Sequence, residues 1–264
     1  MQNQNLIITG STGFIGQNLA KKLNNSNTYN IKRNNTVELL KNLHKDTEFT
    51  LLHLATYFST QSKDRNMIHE SNIKFGEKIL KETESLNIKK IIYTNTMYNY
   101  YKNEDLRDSY YSETKKIFSS KLNNYCNDKE ILYEEIYLDN TFGHNDKRKK
   151  LIPLLIEKIK NKEANPIKNP KNSINLMHID DVVKRILTAI NSSEINYPTS
   201  FVSRNSYNIN SLYQFLKNYS DSGEINTELI VKCENSYLKD FPQIDYKGIK
   251  IKDNLVELIK LLWN

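Results

Sequence analysis

Along the first half of the chain, short apolar runs alternate with longer stretches whose apolar residues recur at helical spacing. The first run, Leu6 to Ile8, is short and continuous, which suits a strand buried on both faces. Phe14, Ile15, Leu19 and Leu23 follow with a helical repeat. Further strand-like runs are TYNIKRNN (28–35), TLLHLA (50–55), KIIYTNT (90–96) and EILYEEIYL (130–138). Helical patterns fill 66–86 and 109–126 between them. Such alternation predicts an α/β fold, a doubly wound parallel sheet with helices on both faces. Beyond about residue 140 the alternation weakens. NKEANPIKNPKNS (161–173) reads as a long surface loop, and HIDDVVKRILTAI (178–190) as a helix with Asp180 as its N-cap. The tail from 204 mixes short elements and ends in an amphipathic helix, 253–262. No internal repeat is visible.

Composition narrows the class. The 264 residues are 38% hydrophobic and 10% aromatic, enough to build a large globular core and unlike a disordered chain. No apolar run approaches the roughly 20 residues that span a membrane, and MQNQNLIITG lacks the basic and apolar regions of a signal peptide. Cys126 and Cys233 have neither metal-ligand spacing nor a disulfide framework. These features predict a cytoplasmic protein with no membrane partner and no metal site. The net charge of +7 suits an anionic ligand. Basic residues are not gathered with aromatics on any one element, so a nucleic acid is not the expected partner.

The glycines carry more. Average usage of about 7% would give roughly 18 in a chain this long; there are seven, and three of them, Gly10, Gly13 and Gly16, lie in LIITGSTGFIGQNLAKKL. Strand, glycine turn and helix form the context of a dinucleotide-binding fingerprint. Gly10 permits the tight turn, Gly13 the approach of a pyrophosphate, and Gly16 close packing of helix on strand. The anion would meet the free amides and positive dipole end of the helix. At the end of the second strand an acidic residue would bind the ribose of NAD; Lys32 and Arg33 stand there instead. Arg33 suits a 2′-phosphate, so NADPH is the expected cofactor and NADH the alternative.

In DLRDSYYSETKKIF (105–118), Tyr111 has Lys115 one helical turn on, whereas Tyr110 has Thr114. An ammonium beside a phenol favours the phenolate and lowers its pKa from about 10. Tyr111 is therefore the better acid of the two.

With these motifs in order, the chain resembles the extended short-chain dehydrogenase/reductases, the NAD(P)-dependent epimerase/dehydratase family, from residue 5 to about 190. GSTGFIG (Gly10, Ser11, Thr12, Gly13, Phe14, Ile15, Gly16) is similar to the family's cofactor loop, and LLHLAT to its strand end beside the cofactor (Leu54, Ala55, Thr56). SNIKFGEKIL resembles the helix carrying a family asparagine, here Asn72; YTNTMYN the strand end with the catalytic Ser/Thr, here Thr94; and YSETK the Tyr-x-x-x-Lys pair. DNTFGHND and HIDDVV look like two further family segments. The resemblance implies a Rossmann-type NADP-binding domain over 1–140, with 174–204 returning to it. It also implies a small C-terminal α/β substrate-binding part from 141–173 and 205–264. Thr94, Tyr111 and Lys115 would be catalytic. Tyr111 would protonate a carbonyl oxygen as hydride reaches its carbon, and Lys115 would tune Tyr111 and hold the nicotinamide ribose.

Dehydratases of the family place Asp-Glu directly after the catalytic threonine; here Asn95 and Thr96 stand there, and neither can exchange a proton in that role. A reductase or an epimerase remains, and NADPH favours the reductase. The local wording resembles short 4-ketoreductases of deoxysugar pathways, of the CDP-abequose, CDP-paratose and dTDP-fucose-forming type. The expected reaction is thus NADPH-dependent reduction of the 4-keto group of a nucleotide-linked 4-keto-6-deoxy sugar for a surface glycan such as O-antigen or capsule. A nucleotide-sugar epimerase or dehydrogenase using NAD is the enzymatic alternative, and a non-catalytic cofactor sensor or scaffold the alternative of another class. Substrate contacts would come from Thr94, Asn95, Thr96, Asn140, Lys150 and Leu151, with Lys150 the diphosphate candidate; KRKKLIP (147–153) equally fits a solvated helix start. Ile174 stands where many relatives carry an arginine. By the same resemblance, helices 66–86 and 109–126 would pair in a homodimer.

Overall fold

The computed structural model describes residues 4–23, 27–59, 61–101, 104–148, 150–164, 167, 172–193, 199–201, 206–233 and 254–263. Part of the expected 161–173 loop, including Pro166 and Pro170, lies outside them. The chain divides into two compact units, Met1–Tyr137 with Val183–Ser200, and Leu138–Val182 with Phe201–Asn264.

In chain order the elements begin with β1 (Asn5–Thr9), α1 (Phe14–Ala20), β2 (Asn27–Ile31), α2 (Thr36–Lys41) and β3 (Glu48–His53). Next come α3 (Arg65–His69), a π-helical turn (Glu70–Lys74), α4 (Phe75–Glu82) and β4 (Asn87–Thr96). Then follow α5 (Glu104–Arg107), α6 (Tyr110–Asp128), β5 (Leu132–Leu138), β6 (Asn140–Phe142) and α7 (Leu151–Lys160). The chain continues through β7 (Ser173–His178), α8 (Ile179–Asn191), β8 (Thr199–Phe201), β9 (Ser206–Asn208) and α9 (Ile209–Ser222), and closes with β10 (Lys232–Cys233) and α10 (Asn254–Trp263).

The first unit is built on a six-stranded sheet ordered β2-β1-β3-β4-β5-β8, in which β1 pairs in parallel with β2 and β3, and β3 with β4. Its strands are nearly continuous apolar runs because helices cover the sheet: Leu6, Ile7, Leu51, Leu52, Ile91 and Ile92 are buried. This is a Rossmann-like fold. The strand order reverses between β1 and β3, and ligands of such sheets bind at that reversal, outside the carboxyl ends of the strands. Phe118 of α6 packs on Gly76 of α4 so closely that a Cβ there would lie 2.2 Å from its ring.

In the second unit β6 and β7 pair in parallel, and β9 and β10 add antiparallel. Phe142, Leu155, Leu176, Tyr207, Leu212, Phe215 and Leu258 form its core. Two expectations are corrected here. The helix after β7 starts at Ile179, so Asp180 lies in its first turn; the Asp180 amide donates to His178 Nδ1 (3.3 Å), and the imidazole takes the capping place. The tail does not hold only short elements: α9 has 14 residues, started by the Asn208 side chain on the Ser211 amide and stopped by Gly223 at φ +74°.

Candidate active site

The glycine turn sits at the strand reversal. Gly10 follows β1 at φ +74°, and a Cβ on it would lie 2.6 Å from the Ala55 amide nitrogen, at the end of β3. Gly16 is pressed on the turn itself, its would-be Cβ 2.4 Å from the Gly10 carbonyl, so helix and turn, more than helix and strand, make the close approach. Gly13 donates to Gly10 O (3.0 Å) and opens α1, whose first turn has no side-chain cap. A cradle that any side chain would fill, beside a helix start without a side-chain cap, fits a dinucleotide pyrophosphate. Ser11, Thr12, Phe14 and Ile15 lie in or next to this turn. Thr9 Oγ1, bound to His53 Nδ1 (2.9 Å), accepts from the Ala55 amide (3.3 Å), locking β1 to the segment Leu54–Thr56.

Lys32 and Arg33 follow β2, both exposed, and Arg33 Nη2 donates to the Ser71 hydroxyl. Ser71 belongs to the π-helical turn, an irregularity common at functional sites. The next residue, Asn72, is buried and uses every hydrogen-bonding position on the protein. Its Oδ1 accepts from Thr56 Oγ1 (3.0 Å) and the Tyr57 amide (2.8 Å); its Nδ2 donates to Tyr57 O (3.2 Å) and Thr114 Oγ1 (3.2 Å). Asn72 thus ties the segment after β3 to α6.

Tyr111 and Lys115 share the inner face of α6. Lys115 is buried; its Nζ donates to Thr94 O (2.6 Å) at the end of β4 and stands 4.1 Å over the Tyr93 ring. Burial pushes its ammonium down to about 7, opposed by the Glu135 carboxylate. Burial, reinforced by Lys115, pushes His53 down to about 3. Tyr111 is walled edge-on by Phe58 (4.9 Å) and Tyr98 (6.2 Å). Tyr110 is engaged elsewhere: its hydroxyl meets His69 Nδ1 (2.9 Å) and Arg65 lies 4.0 Å over its ring.

The three residues ending β4 differ in one respect. Thr94 Oγ1 has no hydrogen-bond partner among the described residues, whereas its neighbours are committed. Asn95 Nδ2 donates to Glu135 Oε1 (2.6 Å) and its Oδ1 accepts from the Thr96 amide; Thr96 Oγ1 accepts from the Tyr98 amide (3.3 Å). Glu135 escaped the sequence reading, and His53 entered it only within LLHLAT, with no role of its own. Two adjacent glutamates inside an apolar strand were the available signal for the first; a lone histidine in a buried strand carries none.

In the second unit, Asn140 Nδ2 donates to Asp139 (2.7 Å), and Arg148 binds Asp146 (2.6 Å) and Thr141 O (2.8 Å), bracing the loop before α7. Lys150, half-buried, is the residue before α7, and burial with the Arg148 charge pushes its ammonium down to about 8. A cavity of about 700 Å³ lies between this loop and α7, bordered by His144, Lys147, Pro153, Glu157 and Lys160; Asn140, Lys150 and Leu151 are not in its lining. Ile174 is buried in the core of this unit, with no room for an arginine's charge. Among the described residues no His, Cys, Asp or Glu cluster could hold a metal, and no helix is long and apolar enough to cross a membrane.

Residues 6–209 match the model of the NAD dependent epimerase/dehydratase family. A CDP-abequose synthase of Yersinia pseudotuberculosis is 24% identical over 219 residues, 75% of this chain and 77% of that protein. Among solved structures, a UDP-N-acetylglucosamine 4-epimerase of Methanobrevibacter ruminantium M1, in complex with UDP-N-acetylmuramic acid, superposes with a TM-score of 0.74 at 20% identity, covering 100% of this chain and 98% of that one. RMD from Pseudomonas aeruginosa, complexed with NADPH, gives 0.74 at 15% identity, covering 99% and 97%.

Proposed function

The chain belongs to the NAD dependent epimerase/dehydratase family, and from that premise we propose that it is an NADPH-dependent reductase of the 4-keto group of a nucleotide-linked 4-keto-6-deoxy sugar. The observation that carries the reading is the end of β4. Thr94 keeps a free hydroxyl beside Lys115, while Asn95 and Thr96 are neither acid nor base and are spent within the protein. That combination suits carbonyl reduction and leaves water elimination without its proton-transfer groups. The similarity to a CDP-abequose synthase supports a CDP-linked sugar as first choice.

When bound, NADPH supplies the hydride. Thr94 Oγ1 would hydrogen-bond the substrate carbonyl oxygen, and Tyr111 would give its phenolic proton to that oxygen as the alcohol forms. Lys115 would favour departure of that proton through its charge and hold the nicotinamide ribose; the turn at Gly10–Gly16 would seat the pyrophosphate. Arg33 would meet a 2′-phosphate. Lys150 is proposed for the diphosphate, with Asn140 and Leu151 as further substrate contacts, and a homodimer is proposed through the helical segments 66–86 and 109–126. The test is absorbance at the reduced-nicotinamide band with a panel of CDP-, dTDP-, GDP- and UDP-4-keto-6-deoxy sugars. Oxidation with one nucleotide supports the reading. Tight cofactor binding without oxidation transfers it to an epimerase or a sensor.

A further inference from the structure

Glu134 and Glu135 stand side by side in β5, both buried, and strand alternation sends them to opposite faces. Glu134 meets two cations, Lys90 Nζ and Arg185 Nη2, each at 2.6 Å, and Lys90 also caps the carbonyls of Ala189 and Ser192 at the end of α8. Its partners tie sheet to helix. Among the described residues Glu135 meets only neutral donors, Asn95 Nδ2 (2.6 Å) and the Tyr137 hydroxyl (3.1 Å). A buried carboxylate without a cation in contact is costly unless a charge nearby balances it.

Lys115, itself buried, is held on the carbonyl of Thr94, the residue before the Asn95 that binds Glu135, and the Glu135 carboxylate favours its charged form. Other titratable groups also face this pair. His53 of β3 stays neutral, and burial pushes Tyr93 of β4 and Tyr133 and Tyr137 of β5 upward, so they keep their protons. Tyr100 packs on Tyr137, and Tyr111 shares α6 with Lys115.

We propose that Glu135 is a positioning residue for the Tyr111–Lys115 pair: its buried carboxylate, oriented by Asn95 and Tyr137, is the counter-charge that keeps Lys115 an ammonium. This rests on the functional reading above, in which that ammonium assists proton donation by Tyr111. It also assigns a task to Asn95, the residue standing where a dehydratase carries its acid.

Glu135→Gln keeps both hydrogen bonds, since its oxygen accepts from Asn95 and its amide donates to the Tyr137 oxygen. Only the charge is removed. Lys115 is then deprotonated at lower pH, and reduction fails at lower pH on its basic limb. The experiment is a proton titration of Lys115 in protein with 13C-labelled lysine Cε, its resonance assigned with Lys115→Arg, without cofactor or substrate. In Glu135→Gln the midpoint falls by about one unit or more, the scale of a lost neighbouring charge, while Glu135→Asp, which keeps the charge, brings it back toward wild type. Glu134→Gln loses stability and leaves the midpoint in place. An unmoved midpoint in Glu135→Gln, or an equal shift in Glu135→Asp, overturns the proposal whatever the activity. A shifted midpoint in an enzyme that reduces no keto-sugar upholds Glu135 and refutes the reductase.

Discussion

Gly10 and Gly223 share φ +74° but differ in surroundings, and their alanine variants separate conformational cost from crowding. Nothing lies within 4 Å of a Cβ at Gly223, so Gly223→Ala bears only the left-handed backbone penalty of about 1–2 kcal/mol. At Gly10 the Cβ would stand 2.6 Å from Ala55 N and 2.7 Å from Leu54 C, both backbone atoms of the segment that follows β3. That segment is held by Thr9 and Asn72 and cannot retreat cheaply. Overpacking adds about 1–3 kcal/mol, so Gly10→Ala should cost roughly 2–5 kcal/mol. At about 2–4 °C per kcal/mol for a unit of this size, calorimetry should show Tm falling by roughly 4–20 °C. The same displacement disturbs the cofactor loop. NADPH at 100 times its Kd should stabilise wild type and Gly223→Ala by about 2.7 kcal/mol, and Gly10→Ala far less. Equal Tm losses in the two variants, with the full NADPH shift kept in Gly10→Ala, would refute the reasoning.

Other outcomes follow from the same geometry. Tyr111→Phe should lower turnover by about 10²–10⁴-fold, whereas Tyr110→Phe loses a hydrogen bond to His69 and should keep turnover within a few-fold of wild type. Arg33→Ser should weaken NADPH binding about tenfold or more with little change for NADH, the worth of a charged hydrogen bond, read by fluorescence titration. Lys90→Met leaves Glu134 with Arg185 alone and should destabilise by about 3–5 kcal/mol in urea unfolding. His53 takes up its proton near 6.5 when unfolded but only near 3 when folded, so the unfolded state binds more protons between those values. Stability should therefore fall as pH drops from about 6.5 toward 3, and His53→Gln should flatten that slope.

The sheet was legible where strands are buried on both faces. β1, β3, β4 and β5 read as apolar runs, and Gly10 carried its own signal because only glycine fits there. The small sheet of the second unit was not legible: β6 and β9 have three residues each, too few to show a period, and exist through their pairing with β7. α9 was hidden because polar residues interrupt its stripe of Leu212, Tyr213, Phe215 and Leu216, although Asn208 and Gly223 marked both ends. In the site, spacing alone placed Tyr111 and Lys115 one turn apart, while the grip of Lys115 on Thr94 O depends on how α6 lies over β4. Glu135 acts across strands, through Asn95 of β4, and no one-dimensional pattern links residues 95 and 135.

The most direct measurement of the central claim is to follow the label of NADPH deuterated at the transferring position through turnover with a CDP-4-keto-6-deoxy sugar. A reductase yields one deuterium at C4 of the product for each oxidised cofactor released. Product without label, formed with no net oxidation of cofactor, would contradict it.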